Sequence, residues 1–251
     1  MAPDLRAREG GDGAAVLLLL HGLGATGDVW NRWEPLLAER WPGRWIVPDL
    51  PGHGGSAPLP AYTFDGLAAA VAGLIPPETP TVVVGHSLGG VVALVLARRR
   101  PDAVRGVVGL GIKVAWTPPE LERARALAAR PVTWFPSREE AVTRHLRLSG
   151  LDGLLAPDDP AVAAGVREED GRWRPALDPA AFGVGAPDMP ALLAAAGVPV
   201  VLARGEHDPM NTDEQLAALG VPAVTLPGAG HNAHVDSPEL SVTLLDRCTL
   251  R

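Results

Sequence analysis

The sequence predicts an α/β fold: a mostly parallel, doubly wound sheet with a mainly helical cap inserted before its last two strands. Three observations predict it. Runs such as Ala15–Leu20, Thr81–Gly85 and Val104–Leu110 are apolar at nearly every position instead of every second one, the pattern of strands buried on both faces of a parallel sheet. Most of these runs are followed, after a glycine- or proline-rich turn, by residues at helical spacing, and strands alternating with helices imply a sheet covered on both sides. The rhythm breaks once, over residues 113–187, and then resumes.

The elements follow in order. Residues 1–13 are polar and glycine-rich, with room for one short edge strand. Ala15–Leu20 is a buried strand closed by the glycine-rich loop His21-Gly22-Leu23-Gly24-Ala25-Thr26-Gly27. Residues 28–40 show helical spacing through Val29, Trp33, Leu36 and Leu37. Trp45–Val47 is a second strand, and the turn-rich Pro48–Ser56 closes it. A helix is expected over 64–75, a strand over Thr81–Gly85, a helix over Ser87–Arg99 ended by Pro101, and a strand over Val104–Leu110. Residues 113–187 hold many prolines, helical patches and three tryptophans, with no strong strand alternation. Strand Pro199–Arg204, helix 212–219, strand Val221–Leu226 and helix 237–249 complete the chain. The expected division is a core of residues 1–112 and 188–251 and a cap, or lid, of 113–187 over the carboxyl edge of the sheet, where open α/β sheets bind ligands.

Composition narrows the function classes. Of 251 residues 47% are apolar and 20% charged, as in a soluble protein with a substantial core. A formal net charge of −7 argues against nucleic acid as a partner, since such binders present a basic patch. The single cysteine, Cys248, has no internal partner, which suits a reducing compartment. The N-terminus lacks the apolar core of a signal peptide, and the apolar runs fall short of the roughly 20 residues that span a bilayer. A cytoplasmic protein with no membrane association is expected, while monomer and homodimer stay open.

The chemistry centres on Gly85-His86-Ser87-Leu88-Gly89-Gly90, between a β-branched run and an alanine-rich helix. A serine hydroxyl becomes a nucleophile when it is lifted onto a sharp turn, given a base and set beside oxyanion donors. Partners must come from loops at the same sheet edge. Asp208 follows one later strand and His231 the next, in Arg204-Gly205-Glu206-His207-Asp208 and Gly228-Ala229-Gly230-His231. Glu206 and Asp213 compete as the acid and His234 as the base. His53 and Asp49 read as organisers of the turn after the second strand, and His86 as packed against the sheet edge. No ligand cluster has metal-site spacing, so neither a metal nor a cofactor is expected.

Five segments, His-Gly-Leu-Gly at 21–24, Asp-Leu-Pro-Gly-His-Gly-Gly-Ser at 49–56, Gly-His-Ser-Leu-Gly-Gly at 85–90, Gly-Glu-His-Asp at 205–208 and Gly-His at 230–231, stand in one order. In this the chain resembles the α/β-hydrolase superfamily over nearly its whole length. The resemblance implies the α/β-hydrolase fold, with Ser87 as nucleophile, His231 as general base and then acid, and Asp208 as its orienting carboxylate. The backbone N–H groups of Leu23 and Leu88 would form the oxyanion hole. Each such donor stabilises the transition state by roughly 3–4 kcal/mol.

The reaction expected is hydrolysis of a small-molecule carboxylic ester, lactone or thioester through an acyl-enzyme on Ser87. The serine excludes members with an aspartate nucleophile, such as haloalkane dehalogenases. A triad-bearing lyase or carbon–carbon bond hydrolase is an alternative, since the chain also resembles the menaquinone-pathway synthase of succinyl-hydroxycyclohexadiene carboxylate. A non-catalytic binding protein on the same fold is a second. For the substrate pocket the candidates are Trp30, Trp116 and Trp134 as apolar walls and Lys113, the sole lysine, as a contact for a substrate carboxylate. Lys113 also reads as a solvated hinge residue, and the tryptophans as core.

Overall fold

The computed structural model describes residues 3–248; the parts of the expected N-terminal stretch and C-terminal helix that fall on residues 1–2 and 249–251 lie outside them. Seven strands form the central sheet: β1 (Ala7–Gly10), β2 (Val16–Leu20), β3 (Arg44–Pro48), β4 (Thr81–His86), β5 (Val104–Leu110), and, after the insertion and its two strands β6 (Val166–Glu169) and β7 (Arg172–Pro175), β8 (Val200–Gly205) and β9 (Ala223–Leu226). Their order is β1-β3-β2-β4-β5-β8-β9. Every pair is parallel except β1 with β3.

The continuous apolar runs have a direct cause. Side chains alternate across a strand, and each face has its own core. Val16, Leu18 and Leu20 enter the cluster that includes Leu67 and Val71 of α2 (Phe64–Ala72) and Val92 and Leu96 of α3 (Leu88–Arg99), with α1 (Glu34–Arg40) lying on the other side. Leu17 and Leu19 enter the opposite cluster, with Trp30, Trp33, Leu37 and Leu244. All five residues of β2 are wholly buried. Each such leucine contributes about 1.5–3 kcal/mol of transfer free energy.

Residues 113–187 contain α4 (Pro118–Ala128), α5 (Arg138–Ser149), the short α6 (Pro160–Ala163), and a 3₁₀ segment Pro179–Val184. Where the sequence shows no strong strand alternation, they also contain the antiparallel hairpin β6–β7. Its two-residue loop, Asp170-Gly171, has φ of 51° and 73°, as a type I′ turn requires, and Asp-Gly is a strong sequence signal for that turn. The core resumes through α7 (Met189–Ala195), which was not expected, and α8 (Asp213–Ala217).

Two expected helices are broken. Residues 28–40 form a 3₁₀ turn at Gly27–Trp30 and then α1, because Pro35 fits the first turn of a helix and not its interior. The C-terminal stretch runs through α9 (Ala233–Asp236) and α10 (Pro238–Ser241) into a 3₁₀ segment Val242–Arg247. No helix among the described residues is long and apolar enough to cross a membrane.

Candidate active site

Ser87 stands between β4 and α3 with φ 49° and ψ −113°, a strained conformation for a residue with a Cβ. Its own N–H donates to the Leu110 carbonyl at 2.8 Å, which ties the elbow to β5. The turn is tight enough that a Cβ on Gly85 would meet the backbone of Gly89, and one on Gly89 would meet the Leu20 carbonyl oxygen. These two glycines therefore permit the close approach that holds the serine in place.

β8 delivers the carboxylate and β9 the imidazole. Asp208, buried, accepts from His231 Nδ1–H at 3.1 Å and from the Met210 N–H at 2.9 Å, both at Oδ1. With its proton on Nδ1, the neutral His231 ring presents Nε2 as its basic nitrogen. Asp208 Oδ2 is buried with no partner among the described residues. The competing acids are engaged elsewhere: Glu206 accepts from the Gly228 N–H at 2.8 Å, and Asp213 from Arg204 and Thr225 at 2.8 and 2.6 Å.

The first loop lies against the elbow. A Cβ on Gly22 would come 3.3 Å from Ser87 Cβ. The next amide, Leu23 N–H, and the first amide of α3, Leu88 N–H, have no acceptor among the described residues. The first N–H groups of a helix lack intrahelical partners and suit an anion. The loop is held by His21, whose Nδ1–H donates to the Gly22 carbonyl at 2.8 Å and whose Nε2 accepts from the Leu50 N–H at 2.8 Å. Asp49 anchors the neighbouring turn by accepting from the N–H groups of Gly27 and Gly55, at 2.7 and 2.9 Å, and from Arg6.

His86 links the Ser87 elbow to the His231 loop. Its Nε2–H donates to the His231 carbonyl at 3.0 Å, and the two ring centroids are 4.7 Å apart. His234 also packs on His86, with ring centroids 4.4 Å apart, and meets Trp30 at 4.4 Å. Burial strongly disfavours charge on these rings: it pushes His86 well below the usual histidine range, and His234 and His53 down to about 3. His234 is fully buried and His231 half-exposed at the site.

A cavity of about 290 Å³ opens onto Ser87, Leu88 and Leu23. Its walls are Phe64, Val91, Met210, Trp116, one face of α4 through Glu120, Arg123, Ala124 and Leu127, and Phe182 and Val184. Lys113 and Trp116 line it. Lys113 Nζ is held by Glu120 Oε1 at 2.9 Å and lies 5.4 Å from the Trp116 ring centroid. Trp30 and Trp134 do not line it. Trp30 is wholly buried against Trp33 and His234, because its face of the 3₁₀ turn packs on the second core. Trp134 lies under Arg172 of the hairpin, whose guanidinium carbon is 4.7 Å from its ring centroid.

Three supporting residues escaped the sequence reading. Arg204, buried at the end of β8, donates to the carbonyls of Glu206 and Asp208 at 2.9 and 3.2 Å and so shapes the acid loop; the one charged residue in Val200–Gly205 was its signal. Asn211 accepts from the Val114 N–H at 3.0 Å, and Asn232 donates to the Gly150 carbonyl at 2.9 Å. These join the acid and base loops to the insertion, and nothing in the local pattern announces them.

Comparison with known proteins gives this geometry a family. Lipase LipV of Mycobacterium tuberculosis is 42% identical over 111 residues, 43% of this chain and 41% of that protein. The chain spans about half or less of the length of the first curated relatives it matches. The 2-(acetamidomethylene)succinate hydrolase of Mesorhizobium japonicum is 31% identical over 95% of this chain and 88% of its own length. A crystal structure of E-2-(acetamidomethylene)succinate hydrolase superposes with a TM-score of 0.80 at 27% identity, covering 98% of this chain and 95% of the other. With a family model described as the alpha/beta hydrolase family matching residues 17–243, on a sheet and elbow of the form set out above, the chain belongs to that family.

Proposed function

We propose that the chain is a serine hydrolase that cleaves a carboxylic ester, lactone or thioester of a small molecule through an acyl-enzyme on Ser87. The observation that carries this reading is the meeting of a strained, cavity-lining serine with two unclaimed amides and with the loop of a histidine whose proton is fixed by a buried aspartate.

Ser87 Oγ attacks the carbonyl carbon while His231 Nε2 takes its proton. The carbonyl π electrons move onto oxygen, and the oxyanion accepts hydrogen bonds from Leu23 N–H and Leu88 N–H. Asp208 stabilises the histidinium, which then protonates the leaving alcohol as the ester bond breaks. Water enters, loses a proton to His231, and releases the acid and Ser87 by the same steps. Residues 113–187 act as a lid that sets the pocket, and 1–112 with 188–251 as the core that performs the chemistry.

The full-length relative supports a second reading. Its name carries an acetamido group, so amide C–N cleavage by the same triad is the alternative. The lipase relative and the apolar cavity favour esters. Steady-state kinetics on a matched ester and amide of one acyl group separate them. The proposal expects turnover of the ester, with Ser87→Ala lowering kcat by about 10⁴-fold or more. Turnover confined to the amide would replace ester by amide hydrolysis, and full activity of Ser87→Ala on either would remove the mechanism.

A further inference from the structure

We propose that the site is built for anionic substrates: esters whose chain beyond the scissile bond is apolar and whose far end carries a carboxylate or phosphate, held by Arg123, Arg130 and Arg144. The inference rests on the reading of Ser87 as nucleophile and adds the substrate class.

A second, smaller cavity of about 70 Å³ adjoins the one at Ser87. Leu127 and Phe182 line both, so they form the partition between the two. The far side is different in character. Arg130, Arg144 and Thr133 line it, with no carboxylate among its walls. Helical spacing explains the arrangement on the near side: Arg123 and Leu127 are four residues apart on α4 and present the same face. Arg130 follows one turn later, its N–H bonded to the Leu127 carbonyl at 3.1 Å. Arginines therefore border both cavities, Arg123 the first and Arg130 and Arg144 the second, on either side of the apolar partition.

These charges are uncompensated. The chain carries a net −7, and its other arginines commonly sit on carboxylates, as Arg100 does on Asp102 and Arg204 on Asp213, both at 2.8 Å. Arg123, Arg130 and Arg144 have no carboxylate partner among the described residues. The one carboxylate in the walls of the two cavities is spent: Glu120 accepts from Lys113 Nζ and from the Thr117 N–H and hydroxyl at 2.9 Å each. The Lys113–Glu120 pair also means that Lys113 itself is neutralised, so the arginines, and not the lysine, are the groups open to an anion. Guanidinium forks match the geometry of carboxylate and phosphate. Arg123 and Arg130 are solvent-exposed and Arg144 is half-buried, so their attraction for an anion is screened by salt.

The test compares p-nitrophenyl half-esters of linear dicarboxylic acids with the esters of the matching monocarboxylic acids, over a range of chain lengths, with ω-phosphate esters as a third arm. At one chain length or more, the half-ester or the ω-phosphate should exceed its neutral match in kcat/KM by about tenfold or more; which of the two leads identifies the anion. That ratio should fall toward one in the Arg123→Met/Arg144→Met double variant, and in the unmodified enzyme it should fall as salt rises. Arg125→Met, on the same helix but outside both cavities, should leave it unchanged. A ratio at or below one at every length, or one indifferent to the double variant and to salt, overturns the anion subsite. If neutral and acidic esters alike fail and fluorophosphonate leaves Ser87 unlabelled, the hydrolase reading itself has failed.

Discussion

Ser87 holds a backbone conformation that its side chain disfavours, and the groups around it explain why it stays there: Leu110 takes its N–H, and Gly85 and Gly89 leave it room. At this scale the sequence was most legible for groups whose position follows from chain order and sheet edge, as with Ser87, Asp208 and His231. It was least legible for side chains whose partner lies far along the chain, such as Trp30 against His234 or Lys113 against Glu120, since a pattern of spacings does not say which face meets which. His86 was read as packing, yet its Nε2–H donates to the backbone carbonyl of His231. We predict that His86→Leu lowers kcat about 10–100-fold with KM within about twofold, and that His86→Gln, which keeps an amide donor, recovers part of the loss. Equal damage by Leu and Gln would reduce His86 to packing. Asp208→Asn should lower kcat by about 10³–10⁴-fold without unfolding the protein, measured by steady-state kinetics beside circular dichroism.

Elements were legible wherever a run was apolar on both faces. β2 and β5 stand out because each face of the sheet has its own core, and continuous hydrophobicity has no other use in a short strand. The boundaries that shifted did so for local reasons, as Pro35 delays α1. The hairpin β6–β7 went unread even though Glu169-Asp170-Gly171-Arg172 carries its turn, because flanking charges hide the two-residue period. Leu18→Ala in the middle of β2 should cost about 2–5 kcal/mol of stability by denaturant unfolding. Gly171→Val should weaken the hairpin, because a β-branched residue resists a φ of 73°. A loss below about 0.5 kcal/mol there would contradict the turn assignment.

The whole molecule is a sheet whose carboxyl edge gathers four loops, two of them tied to residues 113–187 by Asn211 and Asn232. The protein buries several histidines in neutral form, His53 and His234 beside that edge and His145 on α5, and this sets a pH dependence. Folded His53 and His234 have values near 3 and His145 near 4, against 6.5 unfolded. Above 6.5 both states are neutral and these groups are silent. Below it the unfolded chain binds protons that the folded one refuses, so stability falls with each such histidine by about 1.4 kcal/mol per pH unit until its folded value is reached. Thermal unfolding should therefore shift steeply downward between pH 6.5 and 4, and His234→Phe should flatten the slope; a flat profile would contradict the burial of neutral rings. The central claim, that this edge arms Ser87 as a nucleophile, is tested most directly by treating the folded protein with a fluorophosphonate and mapping the adduct by peptide mass spectrometry. The account predicts one adduct, on Ser87, lost in Ser87→Ala and slowed in His231→Ala. An unmodified Ser87 in folded protein, or labelling at the same rate without His231, would contradict it.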